Sequence, residues 1–214
     1  MRLVLPKLYV ILDAALLATP EIACARRLAD AGVRLLQYRN KKASARELFN
    51  NSRELAGLLL PRRVSFIVND RPDVAFLSGA SGVHVGQEDL GVQQARAVAG
   101  PVKWVGVSTH SLVQFRAAAA TSADYIAVGP IFATSTKANP DPVVGADFIR
   151  QVRPLTDKAI VAIGGITLDR AAGVIEAGAD AVAVGSDILC AADPGKRARQ
   201  YIDMFEALNH AAAV

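Results

Sequence analysis

The chain has 214 residues, 52% of them hydrophobic but only 6% aromatic, and a formal net charge of +4. That length and apolar content suit one large unit with a core of Ala, Val, Ile and Leu, as in buried parallel strands covered by helices. Basic residues are scattered, with only short clusters such as Arg62-Arg63 and Lys196-Arg197 away from the motifs. We therefore expect no nucleic-acid footprint, while the mild excess would help draw small phosphorylated anions.

No apolar run is long enough to span a bilayer, and the N-terminus, MRLVLPKLYVILD, has no signal-peptide pattern. The expectation is a cytoplasmic protein with no membrane partner. Cys24 and Cys190 lie in Ala-rich, helix-like surroundings and outside any CxxC pair. They read as small buried hydrophobes.

Short β-branched runs alternate with longer helical patterns. The first strand is predicted at 8–12, and the others at 35–39, 65–69, 82–86, 104–108, 125–129, 159–164 and 181–185. Between and after them, three- and four-residue apolar spacing predicts helices near 20–31, 44–59, 71–78, 90–98, 111–121, 145–153, 168–177 and 193–208. Ser44 with Glu47 reads as a capping box. Small segments such as Ala31-Gly32-Val33 and Ala177-Gly178-Ala179-Asp180 precede several strands, where a glycine would cap the helix.

This alternation points to a (β/α)8 TIM barrel, a single domain over 1–214. An open doubly wound sheet would normally place a Gly-rich loop after the first strand, and Leu12-Asp13-Ala14 offers none.

In such a barrel the active site lies where strands end. After the second strand come Gln37, Arg39 and Lys41, alternating on one side of an extended segment. At a barrel rim this set suits an anion and a heterocycle; elsewhere it would be a solvated edge. After the third come Asn69-Asp70, and after the fourth His84 and Asp89. Asp70 and Asp89 fit two roles: helix caps, or a magnesium site completed by diphosphate oxygens. His84 sits within a strand and reads as core or as support for the site. The fifth strand ends Ser108-Thr109-His110, and the sixth leads into Thr134, Ser135, Thr136 and Lys137, hydroxyls beside a cation. The last two strands end in Gly164-Gly165 and Gly185-Ser186, where exposed backbone N–H groups suit a phosphate. Together these residues suggest two adjacent anionic subsites, fit for joining two small molecules with loss of diphosphate.

At this point the ordered motifs LYVILD, QYRNK, FIVND, GVHVGQEDL, WVGVSTH, GPIFATSTK and AIGGIT resemble the thiamine-phosphate synthase family over nearly the whole chain. The resemblance implies a barrel enzyme, a transferase using Mg2+. It would couple 4-amino-2-methyl-5-hydroxymethylpyrimidine diphosphate to 4-methyl-5-(2-phosphoethyl)thiazole, giving thiamine phosphate and diphosphate. It places the pyrimidine diphosphate on Gln37, Arg39, Lys41, Asn69 and Lys137, with Ser108 near the bridging carbon, and the metal on Asp70 and Asp89. It gives the thiazole phosphate to Thr134 and Thr136 with Gly165, Gly185 and Ser186, and Ser135 between them stays a substrate-binding candidate from the loop's own hydroxyls. Arg39, Ser108 and Lys137 would act directly in catalysis. Gly185 and Asp187 depart from the family pattern, where an apolar residue and an alanine are common, which bears on the shape of the phosphate cup. The expected partners are these two small-molecule substrates, and a homo-oligomer is compatible with the sequence.

Three other functions compete with this one. A thiazole tautomerase-like relative would lack much of the Gln37, Lys41, Asp70, Asp89 and Lys137 set, which is intact here. A phosphoribosyl-type isomerase would need a carboxylic acid and base pair or a cysteine poised for ring opening, and the sequence shows no convincing pair for that job. A non-catalytic phosphate sensor would have no use for paired carboxylates.

Overall fold

The computed structural model describes residues 3–134 and 141–212. Eight parallel strands close into a barrel in sequence order. They are β1 (Leu8–Asp13), β2 (Leu35–Arg39), β3 (Ser65–Asn69), β4 (Gly82–Val85), β5 (Trp104–Thr109), β6 (Tyr125–Val128), β7 (Ala159–Ile163) and β8 (Ala181–Val184). β8 closes on β1 through Leu8↔Val182, Tyr9↔Ala183 and Val10↔Val184. The helices are α1 (Glu21–Asp30), α2 (Ala45–Leu59), α3 (Pro72–Ser78), α4 (Val92–Ala99), α5 (Leu112–Ala119), α6 (Ala146–Val152), α7 (Leu168–Glu176), α8 (Ser186–Leu189) and α9 (Pro194–Ala212). Among these α-helices, the short α8 is one that the sequence pattern did not predict; at one turn it is too brief to show a helical period.

Side chains alternate across each strand, so the strands build two cores. Leu8, Val10, Leu12, Leu36 and Tyr38 face outward into the large apolar layer under the helices. Tyr9, Ile11, Leu35, Ile67, Tyr125, Ala127, Val161 and Ala183 fill the barrel itself. Burial on both faces explains the continuous apolar runs of strands such as Tyr125–Val128, buried throughout. Size is matched across the interior. A Cβ on Gly106 would lie 2.0 Å from Tyr125 Cζ. Gly106→Ala should therefore lower stability by roughly 2 kcal/mol through overpacking, read as a lower urea midpoint with an unchanged slope.

The caps behave as their residue types dictate. Ser44 and Glu47 form the reciprocal capping box at the start of α2. Gly32 and Gly178, with φ of 100° and 111°, carry the chain out of α1 and α7. Cys24 is buried as expected, but Cys190 is exposed at the end of α8 and does not join the core. Among the described residues, no helix is long and apolar enough to cross a membrane.

Candidate active site

The inward row of each strand ends at one rim, and this brings the polar residues together. Tyr9, Ile11 and Asp13 share a parity on β1, as do Leu35, Gln37 and Arg39 on β2. Asp13 is paired with Arg39 in the β1–β2 register. Their side chains form an ion pair, the Asp13 side chain being only 3% exposed and that of Arg39 23%. The other Asp13 oxygen accepts from Ala15 N–H at 3.0 Å. Arg39 is thus held by a buried carboxylate that sequence reasoning missed. Its signal was the single charge ending the apolar run LYVILD.

One step round the rim, Lys41 pairs with Asp70. Asp70 and Asp89 are neighbours. Burial raises the Asp70 carboxyl above its ordinary range; the hydrogen bond from Lys41 pulls it down, and Asp89 pushes it up again. The helix-cap readings of both residues are overturned. Arg71 occupies the N-cap position of α3 and Gly91 that of α4, and neither makes a side-chain cap. Asp70 instead stands in a left-handed backbone with φ 63°. Its N–H donates to the His84 carbonyl at 2.7 Å. Asp89 Oδ2 accepts from Gly86 N–H at 2.7 Å, which fixes it over the end of β4.

Two facing carboxylates form a hard oxygen donor set, the kind that magnesium takes. Among the described residues, no three His, Cys, Asp or Glu side chains cluster as a metal cage of their own. The residues fit a cation that draws its remaining oxygens from a ligand and from water.

Across the rim a pocket is lined by Asp13, Arg39, Ser108, His110, Thr134, Gly164, Gly165, Gly185 and Ser186, over an apolar floor that includes Ile11, Ile163 and Ala183. Gly165 has φ 61°, and a Cβ there would meet Ala133 O at 2.4 Å. The turn therefore excludes larger residues and leaves a backbone cradle suited to an anion. Asp187 does not enter this cradle. Its Oδ2 accepts from Tyr201 Oη at 2.8 Å and lies 3.8 Å from Arg197 Nε, both on α9. Asp187 is thus turned to the outer layer.

His110 donates from Nδ1 to the Gly129 carbonyl at 2.6 Å, leaving Nε2 3.4 Å from Asp141 Oδ2 at the pocket edge. Beneath the rim, Gln37 Nε2 donates to Tyr9 Oη at 2.8 Å, and Tyr9 Oη lies 3.0 Å from Tyr125 Oη. Tyr125 Oη lies 3.1 Å from His84 Nδ1, whose Nε2 is 2.8 Å from Ser108 Oγ. His84 is 7% exposed. Burial pushes its pKa down to about 4, against the partly offsetting charge of Asp89. It is a neutral supporting residue, as its place within a strand suggested.

Thus Arg39, Ser108, Thr134, Gly165, Gly185 and Ser186 share one pocket. Lys41 and Asp70, with Asp89 beside them, hold the adjoining corner. Asn69 ends β3 next to that corner. Gln37 lies below, 4% exposed. Ser135, Thr136 and Lys137 fall outside the described residues.

A family model described as thiamine monophosphate synthase matches residues 8–188. The thiamine-phosphate synthase of Koribacter versatilis is 49% identical over 208 residues, covering 95% of this chain and 97% of that protein. The enzyme of the same name from Methanospirillum hungatei is 38% identical, covering 92% of this chain and 96% of that protein. The thiamine phosphate pyrophosphorylase structure from Pyrococcus furiosus superposes with a TM-score of 0.86 at 33% identity, over 94% of this chain and 96% of that one. The barrel, its rim and these relatives agree, and the chain belongs to the thiamine monophosphate synthase family.

Proposed function

We infer that this chain is a magnesium-dependent thiamine-phosphate synthase of the cytoplasm. It joins 4-amino-2-methyl-5-hydroxymethylpyrimidine diphosphate to 4-methyl-5-(2-phosphoethyl)thiazole and releases diphosphate. The observation that carries the substrate assignment is the pairing of two anion corners on one rim. The Gly165–Gly185–Ser186 cradle suits a monophosphate, and the Lys41, Asp70 and Asp89 corner suits a diphosphate with its cation.

Chemistry here is mostly placement and charge. Arg39, braced by Asp13, and Lys41 hold the departing diphosphate, with Lys137 assigned beside them. Magnesium, when held by Asp70 and Asp89, would neutralise charge building on those oxygens. The C–O bond to diphosphate breaks as the aminopyrimidine ring feeds electrons to its methylene carbon. The thiazole nitrogen, placed by its own phosphate, then donates its electron pair to that carbon. Ser108 orients the pyrimidine. No side chain forms a bond to substrate, so no nucleophile–base pair is required.

The test is direct. Purified protein, both substrates and magnesium should yield thiamine phosphate and diphosphate in equal amounts, with neither formed when one substrate is withheld. Binding of both substrates without product would overturn the reading.

A further inference from the structure

We propose that Tyr9, Tyr125 and His84 are positioning residues: with Gln37 they form a one-way hydrogen-bond relay through the barrel that points the Ser108 hydroxyl hydrogen at the ligand. The inference rests on the substrate reading above only for the identity of that ligand.

The direction follows from counting hydrogens. Gln37 Nε2 donates to Tyr9 Oη and has no lone pair with which to accept. Tyr9 Oη meets no acceptor but Tyr125 Oη among the described residues and is closed to water, so its single hydrogen goes to Tyr125 Oη, 3.0 Å away. That link is then filled, so the Tyr125 hydrogen turns to His84 Nδ1 at 3.1 Å. With Nδ1 accepting, the neutral imidazole carries its proton on Nε2 and donates to Ser108 Oγ at 2.8 Å. Ser108 accepts there, and its own hydrogen is left for the pocket, which it lines. Tyr9 and Tyr125 are 1% and 0% exposed, so water cannot substitute for a missing link. Burial raises both phenols well above their usual range, and they stay protonated.

The two ends are then of opposite kind. Gln37 Oε1, which accepts no hydrogen bond among the described residues, offers an acceptor, while Ser108 offers a donor. A nitrogen heterocycle bearing an amino group carries both complements: an N–H to give and a ring nitrogen to receive. Reversing the Gln37 amide would reverse every bond of the relay and turn Ser108 into an acceptor. The relay thus makes the two ends one choice rather than two.

The test reads the His84 tautomer by nitrogen NMR on isotope-labelled, ligand-free protein at neutral pH, independently of turnover. The expected signature is a protonated Nε2 and an unprotonated Nδ1; an Nδ1–H tautomer or an imidazolium would overturn the relay. In Tyr125→Phe, His84 should show both tautomers, and kcat/KM should fall about tenfold, the worth of one net hydrogen bond. A single Nε2–H tautomer in that variant would overturn the relay even if the rate fell.

Discussion

Asp70→Asn should reduce turnover by roughly 100-fold or more and raise the magnesium concentration needed for half-maximal rate, with the fold intact. Asn is the informative replacement because of the backbone. Asp70 has φ 63°, a conformation that Asn tolerates and in which Ala would cost about 1 kcal/mol. The amide oxygen can still accept from Lys41, so the change removes charge and little else. Stability should hold, because the native carboxylate is itself disfavoured by burial and by Asp89. The measurements are rate against magnesium concentration and a thermal melt. A wild-type rate with an unaltered magnesium requirement would remove Asp70 from the metal corner.

The second large effect is at Arg39. Arg39→Met should destabilise the protein by about 3 kcal/mol, because it strands a buried carboxylate. Asp13 is 2% exposed. Its backbone bond from Ala15 serves only one oxygen. The Asp13→Asn/Arg39→Met double variant should regain most of that loss in urea denaturation, since no buried charge then lacks its partner. Turnover should stay low in both, because the proposed diphosphate site then lacks its guanidinium. Equal urea midpoints for wild type and the single variant would show that the pair does not brace the rim.

The barrel was legible because strand ends and inward parity coincide. Arg39, Ser108 and Gly185 each stand on the inner row at a rim position, so locating the strands located the pocket. Asp70 and Asp89 were ambiguous for a physical reason. A carboxylate just before a helix suits a cap as well as a ligand, and only the observed N-caps, Arg71 and Gly91, separate the two. The relay was not legible. Tyr9 and Tyr125 are 116 positions apart, and each reads locally as an apolar strand residue. Their hydroxyls meet only because the barrel closes. Cys190 was misjudged because the helix stops at Leu189: α8 buries Ile188 and Leu189, and Cys190 is the exposed residue that caps it.

That closure also governs when the protein can first work. The seam between Leu8 and Val182 joins the earliest strand to the latest. A ribosome making this chain releases nearly all of it before the seam can form, and the Gly185-Ser186 half of the cradle emerges later still. Until then Arg39 and its partners stand on an open, curling sheet with unpaired edges. Ligand capture should therefore appear in one late step of synthesis rather than grow with length.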